Sequence, residues 1–158
     1  MLMSLALMLA AAMALSGVAQ AKKPASAPVH SKCAKLAQAT LGPSFDPSGY
    51  TFTSGTRGDD VFLNTLGGLD VFCGFDGNDY IQTLDEGDVF LGGAGDDSVY
   101  FNSGTFYGGA GTDAIEINYA PGTFYGGTEA DTVSYNQGTF YGEEGDDIVS
   151  ANYGTFVQ

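Results

Sequence analysis

The chain has no tryptophan, one histidine (His30), two cysteines and five prolines in 158 residues. Basic side chains are scarcer still: five Lys and Arg stand against 19 Asp and Glu, for a formal net charge of −14. Each shortage excludes something. With a single imidazole and two thiols, a zinc or copper centre is disfavoured. Lys22, Lys23, Lys32 and Lys35 precede the glycine-rich part, and from Gly55 onward the one base, Arg57, faces every acid except Asp46. That imbalance disfavours a nucleic-acid partner, and a compact fold carrying it needs bound cations. Catalytic signatures are missing too: no Gly-x-Ser-x-Gly elbow, His-Glu-x-x-His helix or phosphate loop occurs, so no enzyme is expected.

Long apolar runs are absent except at the start. Residues 1–21 end in Ala19-Gln20-Ala21, a small-x-small cleavage site, and read as a secretory signal peptide. The competing reading is an uncleaved anchor, because the first residues lack Lys and Arg while Lys22-Lys23 follow directly. Export makes the mature chain a secreted one with no stable membrane insertion. In an oxidising compartment Cys33 and Cys73 pair most simply as one disulfide; two free thiols are the alternative. Residues 22–54 are expected to be a linker and N-terminal cap. Ser31 to Leu41 suits a short helix with Ser31 as N-cap, covering the first coil of the glycine-rich part and fastened there by the two cysteines; Gly42 to Gly55 reads as loop.

What is abundant is glycine, 24 residues, arranged in repeats. Six copies of Gly-x-x-Gly-x-Asp-x-(large apolar) begin at Gly55, Gly74, Gly92, Gly108, Gly126 and Gly142, at spacings of 19, 18, 16, 18 and 16 residues. The third reads Gly92-Gly93-Ala94-Gly95-Asp96-Asp97-Ser98-Val99. A second series lies between them: Phe72, Phe90, Phe106, Phe124, Phe140 and Phe156. One coil therefore has two short strands and two turns. Stacked at the inter-strand spacing of about 4.8 Å, six coils make an all-β parallel β-roll over residues 55–158, roughly 25–30 Å long. Its core is two facing columns, the six phenylalanines and Phe62, Ile81, Val99, Ile115, Val133 and Val149. No second layer is expected, so these columns are most of the apolar burial.

The repeats resemble the repeats-in-toxin (RTX), or haemolysin-type, nonapeptide Gly-Gly-x-Gly-x-Asp-x-U-x, over about two-thirds of the chain. That resemblance implies a parallel β-roll with Ca²⁺ held between stacked turns. The chemistry is consistent with it. Glycines allow the positive φ of a tight turn, and an Asp at its end adds a carboxylate to backbone carbonyls, the oxygen set calcium takes. The ligand column is Asp60, Asp79, Asp97, Asp113, Asp131 and Asp147, giving at most five sites. Gly58, Gly77, Gly93, Gly95, Gly109, Gly111, Gly127 and Gly145 shape the turns. Asp residues that merely cap turns are the bland alternative. Glu129 stands where a turn glycine belongs, which weakens the Asp131 site. The opposite edge has lost the motif; Asp70, Asp85 and Asp88 alone hint at a further site there.

Two more columns are legible. Thr105/Tyr107, Thr123/Tyr125 and Thr139/Tyr141, followed by Thr155/Val157, form an outward array that would suit a polysaccharide, ice or a cell surface, or is simply good strand sequence stacked in register. Asn102, Asn118, Asn136 and Asn152 make a turn column expected to be structural. Arg57-Gly58-Asp59 spells an adhesion tripeptide inside the first repeat, where chance explains it. The function expected is a calcium-binding, non-enzymatic secreted roll; an ice- or glycan-binding solenoid and a fragment of a larger secreted enzyme are the alternatives.

Overall fold

A computed structural model describes residues 31–64 and 67–158. The signal-peptide reading of residues 1–21, Lys22, Lys23 and His30 lie outside the described residues. The chain enters through α1 (Lys32–Leu41), whose N-cap Ser31 accepts a hydrogen bond from Ala34 N, followed by a short 3-10 turn at Pro47–Gly49. The odd strands are β1 (Tyr50–Ser54), β3 (Leu69–Asp76), β5 (Val89–Ala94), β7 (Thr105–Ala110), β9 (Thr123–Thr128), β11 (Thr139–Glu143) and β13 (Thr155–Val157). The even strands are β2 (Val61–Phe62), β4 (Tyr80–Leu84), β6 (Ser98–Asn102), β8 (Ala114–Asn118), β10 (Thr132–Asn136) and β12 (Ile148–Asn152). Odd strands form a seven-stranded sheet and even strands a six-stranded one, each in sequence order. Every pairing is parallel. This is a parallel β-roll: each strand pairs with its counterpart one coil away, because the repeat returns every apolar residue to the same place.

The two columns face each other as the repeat requires. Phe72, Phe90, Phe106, Phe124, Phe140 and Phe156 are direct register partners in turn. From Phe90 to Phe156 the rings lie nearly parallel, with centroids 4.7–5.0 Å apart. Phe62, Ile81, Val99, Ile115, Val133 and Val149 line the other wall. Leu84 joins this core, since the even strands turn both their second and fifth residues inward.

Three expectations need correction. The segment read as loop contains β1, which extends the sheet by pairing Phe52 with Val71. The helix does not cover the end of the roll but lies on the outer face of β1 and β3. And the two columns are joined by a second apolar cluster: Cys33, Ala34 and Ala37 pack on Phe52, Val71, Cys73, Val89 and Leu91. Beneath α1 the outward column is apolar, Phe52, Val71 and Val89; beyond it the same column becomes Thr105, Thr123, Thr139 and Thr155. The outward sequence thus records where the helix lies.

Cys33 and Cys73 form a disulfide that ties α1 to β3 across 40 residues. Closing a loop of that length contributes roughly 3–4 kcal/mol through the unfolded chain. Paired Cys33→Ser and Cys73→Ser substitutions should therefore lower the thermal midpoint. Amide exchange should quicken in α1 and β1 before β11 and β13, since coils depend on their nearest neighbours; uniform quickening would contradict this.

Candidate metal centre

Each first-edge turn leaves an odd strand, bends through Gly-Gly-x-Gly (at Gly92 and Gly108) or a variant of it, and re-enters an even strand just after an Asp. The bend needs two residues in the left-handed region, as at Gly93 (φ 119°) and Gly95 (φ 124°). Gly77, Gly109, Gly111, Gly127 and Gly145 hold equivalent places with positive φ. Phe75, Glu129 and Glu143 take the same conformation without being glycine, at φ 81°, 70° and 72°. Each such residue costs about 1–2 kcal/mol. Glu129 therefore does not break its turn: the backbone keeps its path, and the carboxylate accepts hydrogen bonds from Thr128 Oγ1 and, at 2.9 Å, from Gly111 N.

The Asp side chains that end these turns point inward and form a relay. Asp79, Asp97, Asp113, Asp131 and Asp147 are buried, at most 8% exposed. One oxygen of each, Oδ1, accepts the backbone N–H of the equivalent Asp one coil back. These bonds run Asp60→Asp79, Asp79→Asp97, Asp97→Asp113, Asp113→Asp131 and Asp131→Asp147, at 2.7–2.9 Å. The other oxygen, Oδ2, has no hydrogen-bond partner in any of the five. The first Asp differs. Asp60 is half-buried, its Oδ2 accepts from Thr56 N (2.6 Å) and Thr56 Oγ1 (3.0 Å), and Gly58 beside it is not in the left-handed region.

A carboxylate oxygen buried without a donor is costly, so its surroundings matter. The leading glycine of each turn shows what they are. A Cβ added at Gly92 would collide with Asp97 Oδ2 and with the carbonyl oxygen of Gly108; the same collision recurs at Gly74, Gly108 and Gly126 with their own Asp and the next coil's carbonyl. At Gly142 the Asp147 carboxylate is met, with no carbonyl from a further coil. Carboxylate and carbonyl oxygens thus border one space between adjacent turns, with no N–H donating to the free carboxylate oxygen. Among the described residues no three acidic, thiol or imidazole side chains converge on one point. Side chains alone make no cage here, and any bound cation draws on backbone oxygens. A hard, oxygen-seeking divalent cation fits that donor set.

Burial, before all else, pushes four of these acids up from their ordinary 3.8. Asp79 rises to about 6, Asp97 and Asp131 to about 7 and Asp113 to about 8; the donated backbone N–H pulls each down and neighbouring carboxylates push each up. Outside the relay runs a second one: Asp59, Asn78 and Asp96 each accept, through Oδ1, a backbone N–H of the next coil, at 2.9–3.0 Å. Sequence reasoning passed over it, though the polar residues Asp59, Asn78, Asp96 and Thr112 before the first four Asp were the signal.

On the opposite edge Asp70 and Asp85 meet Asp88 through their backbone N–H groups, and the three carboxylates do not converge as a metal site. Asp88 is buried; its Oδ1 accepts from Asp70 N (2.9 Å) and its Oδ2 from Asn64 Nδ2 (2.8 Å) and Asp85 N (3.3 Å). Burial raises its pKa, and both oxygens are engaged, unlike those of the first edge. Asn64 carried no repeat signal. On the outer face of the seven-stranded sheet, Thr105, Thr123 and Thr139 align, as do Tyr107, Tyr125 and Tyr141. The tyrosine rings stack on one another at 4.7 and 5.0 Å, so inner ring faces are spent on neighbouring tyrosines.

Fold and turns together define a β-roll with a column of oxygen cradles along one edge. A comparison with protein families gives the turns their name: the model of the RTX calcium-binding nonapeptide repeat matches four copies, over residues 74–105 and 139–155. Over those residues the turns are similar to RTX calcium-binding repeats. Neither curated proteins nor solved structures yield a match.

Asp97 has an equivalent Asp turn on each side, at Asp79 and Asp113, whereas the described residues place such a turn on one side of Asp147 only, at Asp131; if the stacked turns hold the ions, Asp97 would serve two sites and Asp147 one. Asp97→Ala should cost about two bound ions and Asp147→Ala about one, with the larger fall in thermal midpoint at Asp97. Ion counting by elemental analysis checks this, and equal losses would count against the stacked-turn assignment.

Proposed function

We propose that the protein is an exported, non-enzymatic β-roll whose folding is coupled to calcium, acting at or beyond the cell surface. The observation that carries the reading is the column of five buried Asp Oδ2 atoms without donors, each at the leading glycine of its turn and all but the last beside a backbone carbonyl of the next coil. Asp79, Asp97, Asp113, Asp131 and Asp147 would hold the ions with carbonyls of the turns, and Asp60 would close the first turn. Bound calcium would supply the positive charge that adjacent carboxylates lack. Without it the carboxylates either repel one another or keep protons, and the excess of acids beyond Gly55 opposes a thin compact fold.

Export is supported by the apolar N-terminal segment, by the disulfide, which suits an oxidising compartment, and by the RTX repeats themselves. Among the described residues no helix is long and apolar enough to cross a membrane. A second reading, attachment to ice or a polysaccharide, is favoured by the Thr and Tyr columns beyond α1. Their hydroxyl-bearing edges, rather than ring faces, would meet the ligand, because the rings stack on each other.

Circular dichroism during a calcium titration tests the main reading. The chelated protein near neutral pH should lack most of its strand signal and regain it as calcium is added. A strand spectrum indifferent to chelator would reject calcium-coupled folding.

Acid should substitute for calcium in part. The four raised pKa values mean that between about pH 4 and 8 the folded chain holds protons that the unfolded chain has released. Stability of the metal-free fold therefore falls as pH rises through that window and recovers as pH is lowered. With calcium saturating, the dependence should reverse, because cation and proton compete for the same oxygens. Thermal midpoints at pH 5 and 8, with chelator and with calcium, give the comparison.

A further inference from the structure

The second edge of the roll is built on a different chemistry. Asn102, Asn118 and Asn136 are fully buried there, and Asn152 continues the column at the last coil. Each side-chain amide donates to the side-chain carbonyl of the next: Asn102 Nδ2 to Asn118 Oδ1, Asn118 Nδ2 to Asn136 Oδ1 and Asn136 Nδ2 to Asn152 Oδ1, all at 2.8 Å. The same Nδ2 atoms also donate to the carbonyl oxygens of Thr123, Thr139 and Thr155, at 3.0–3.3 Å. The backbone follows suit, since Tyr119, Gln137 and Tyr153 donate their N–H to the carbonyls of Asn102, Asn118 and Asn136.

These residues do not fit calcium. The oxygens a cation would seek between the rungs, the Oδ1 atoms of Asn118, Asn136 and Asn152 and the Thr carbonyls, already face amide N–H groups, whose positive ends repel a cation; only Asn102 Oδ1, at the head of the ladder, is buried without a donor. The turns are also too short to supply others. Between the ladder and the next odd strand lie only Ser103-Gly104, Gln137-Gly138 or Tyr153-Gly154, with the longer Tyr119 to Gly122 after Asn118. None carries the Gly-Gly-x-Gly-x-Asp stretch that turns carbonyls and a carboxylate into one space on the first edge.

We propose that calcium loading of this roll is one-sided along the coils from β6 to β13, with the asparagine ladder replacing metal as the coil-to-coil link on the second edge. The inference rests on calcium binding at the Asp column, and it assigns the opposite edge a metal-independent role. The ladder satisfies what metal would otherwise satisfy: buried polar groups meeting between successive turns.

Ion counting and thermal melting of the disulfide-intact protein in saturating calcium test it. Asn118→Ala removes the middle rung and leaves Asn102 Nδ2 and Asn136 Oδ1 short of a partner, so the thermal midpoint should fall by about 5 °C or more while the ion count stays at the wild-type value. Asp113→Ala, by contrast, should lose ions. If Asn118→Ala does not fold, Asn152→Ala removes only the exposed last rung, and it should bind as many ions as the wild type. Loss of calcium from either Asn variant, or an unchanged midpoint for a folded Asn118→Ala, would overturn the proposal. A wild-type protein that binds no calcium would instead overturn the calcium-binding reading on which it rests, and the melting of Asn118→Ala would still report whether the ladder links the coils.

Discussion

Everything in this roll depends on how a buried carboxylate is satisfied. Each coil after the first brings one Asp to the same place, spends one oxygen on the backbone of the coil before it and leaves the other bare. The engaged oxygen sets the register, because a shift of one residue would put the carboxylate opposite a carbonyl instead of an N–H. The bare oxygen creates the demand for a proton or a cation. Stacking and ion binding are therefore two uses of one side chain. The same dependence explains the leading glycine of each turn, whose missing Cβ leaves room for the Asp and the neighbouring carbonyl.

Against this edge the other is conservative. Asparagine carries donor and acceptor in one group, so a column of asparagines satisfies itself from rung to rung, with only Asn102 Oδ1 at its head left without a donor. Aspartate carries acceptors only, so a column of aspartates is never complete by itself. The contrast between the edges reduces to that difference of a single amide, repeated coil after coil, while the phenylalanine stack between them is indifferent to both.

The repeat made most of this legible before any coordinates. Periodicity alone placed Phe90 beside Phe106 and Asp97 beside Asp113, because in a parallel stack the sequence offset between coils is the register. The parts that escaped were those outside the repeat or those that break its letter while keeping its conformation. Strand β1 has no glycine–aspartate turn before it, so nothing marked Tyr50–Ser54 as part of the sheet. The lateral seat of α1 was written in Val71 and Val89, the residues that precede the threonines in register, but these read equally well as ordinary strand sequence. Glu129 stands where a glycine was expected, yet it occupies the left-handed region with its side chain held by hydrogen bonds from Thr128 and Gly111. Asn64 has no counterpart in the other coils, and only the fold brings it to Asp88.

The stacked phenylalanines have an optical consequence. The chain contains no tryptophan to dominate its ultraviolet spectrum. Part of its aromatic signal comes from rings held within 13° of parallel from Phe90 to Phe156, and from Tyr107, Tyr125 and Tyr141, aligned within 10° on the outside. Regularly spaced chromophores couple their transitions, and the coupling depends on the pitch from ring to ring. The molecule thus carries two internal rulers, one within the core and one on its surface, that report the spacing of its coils without an attached dye.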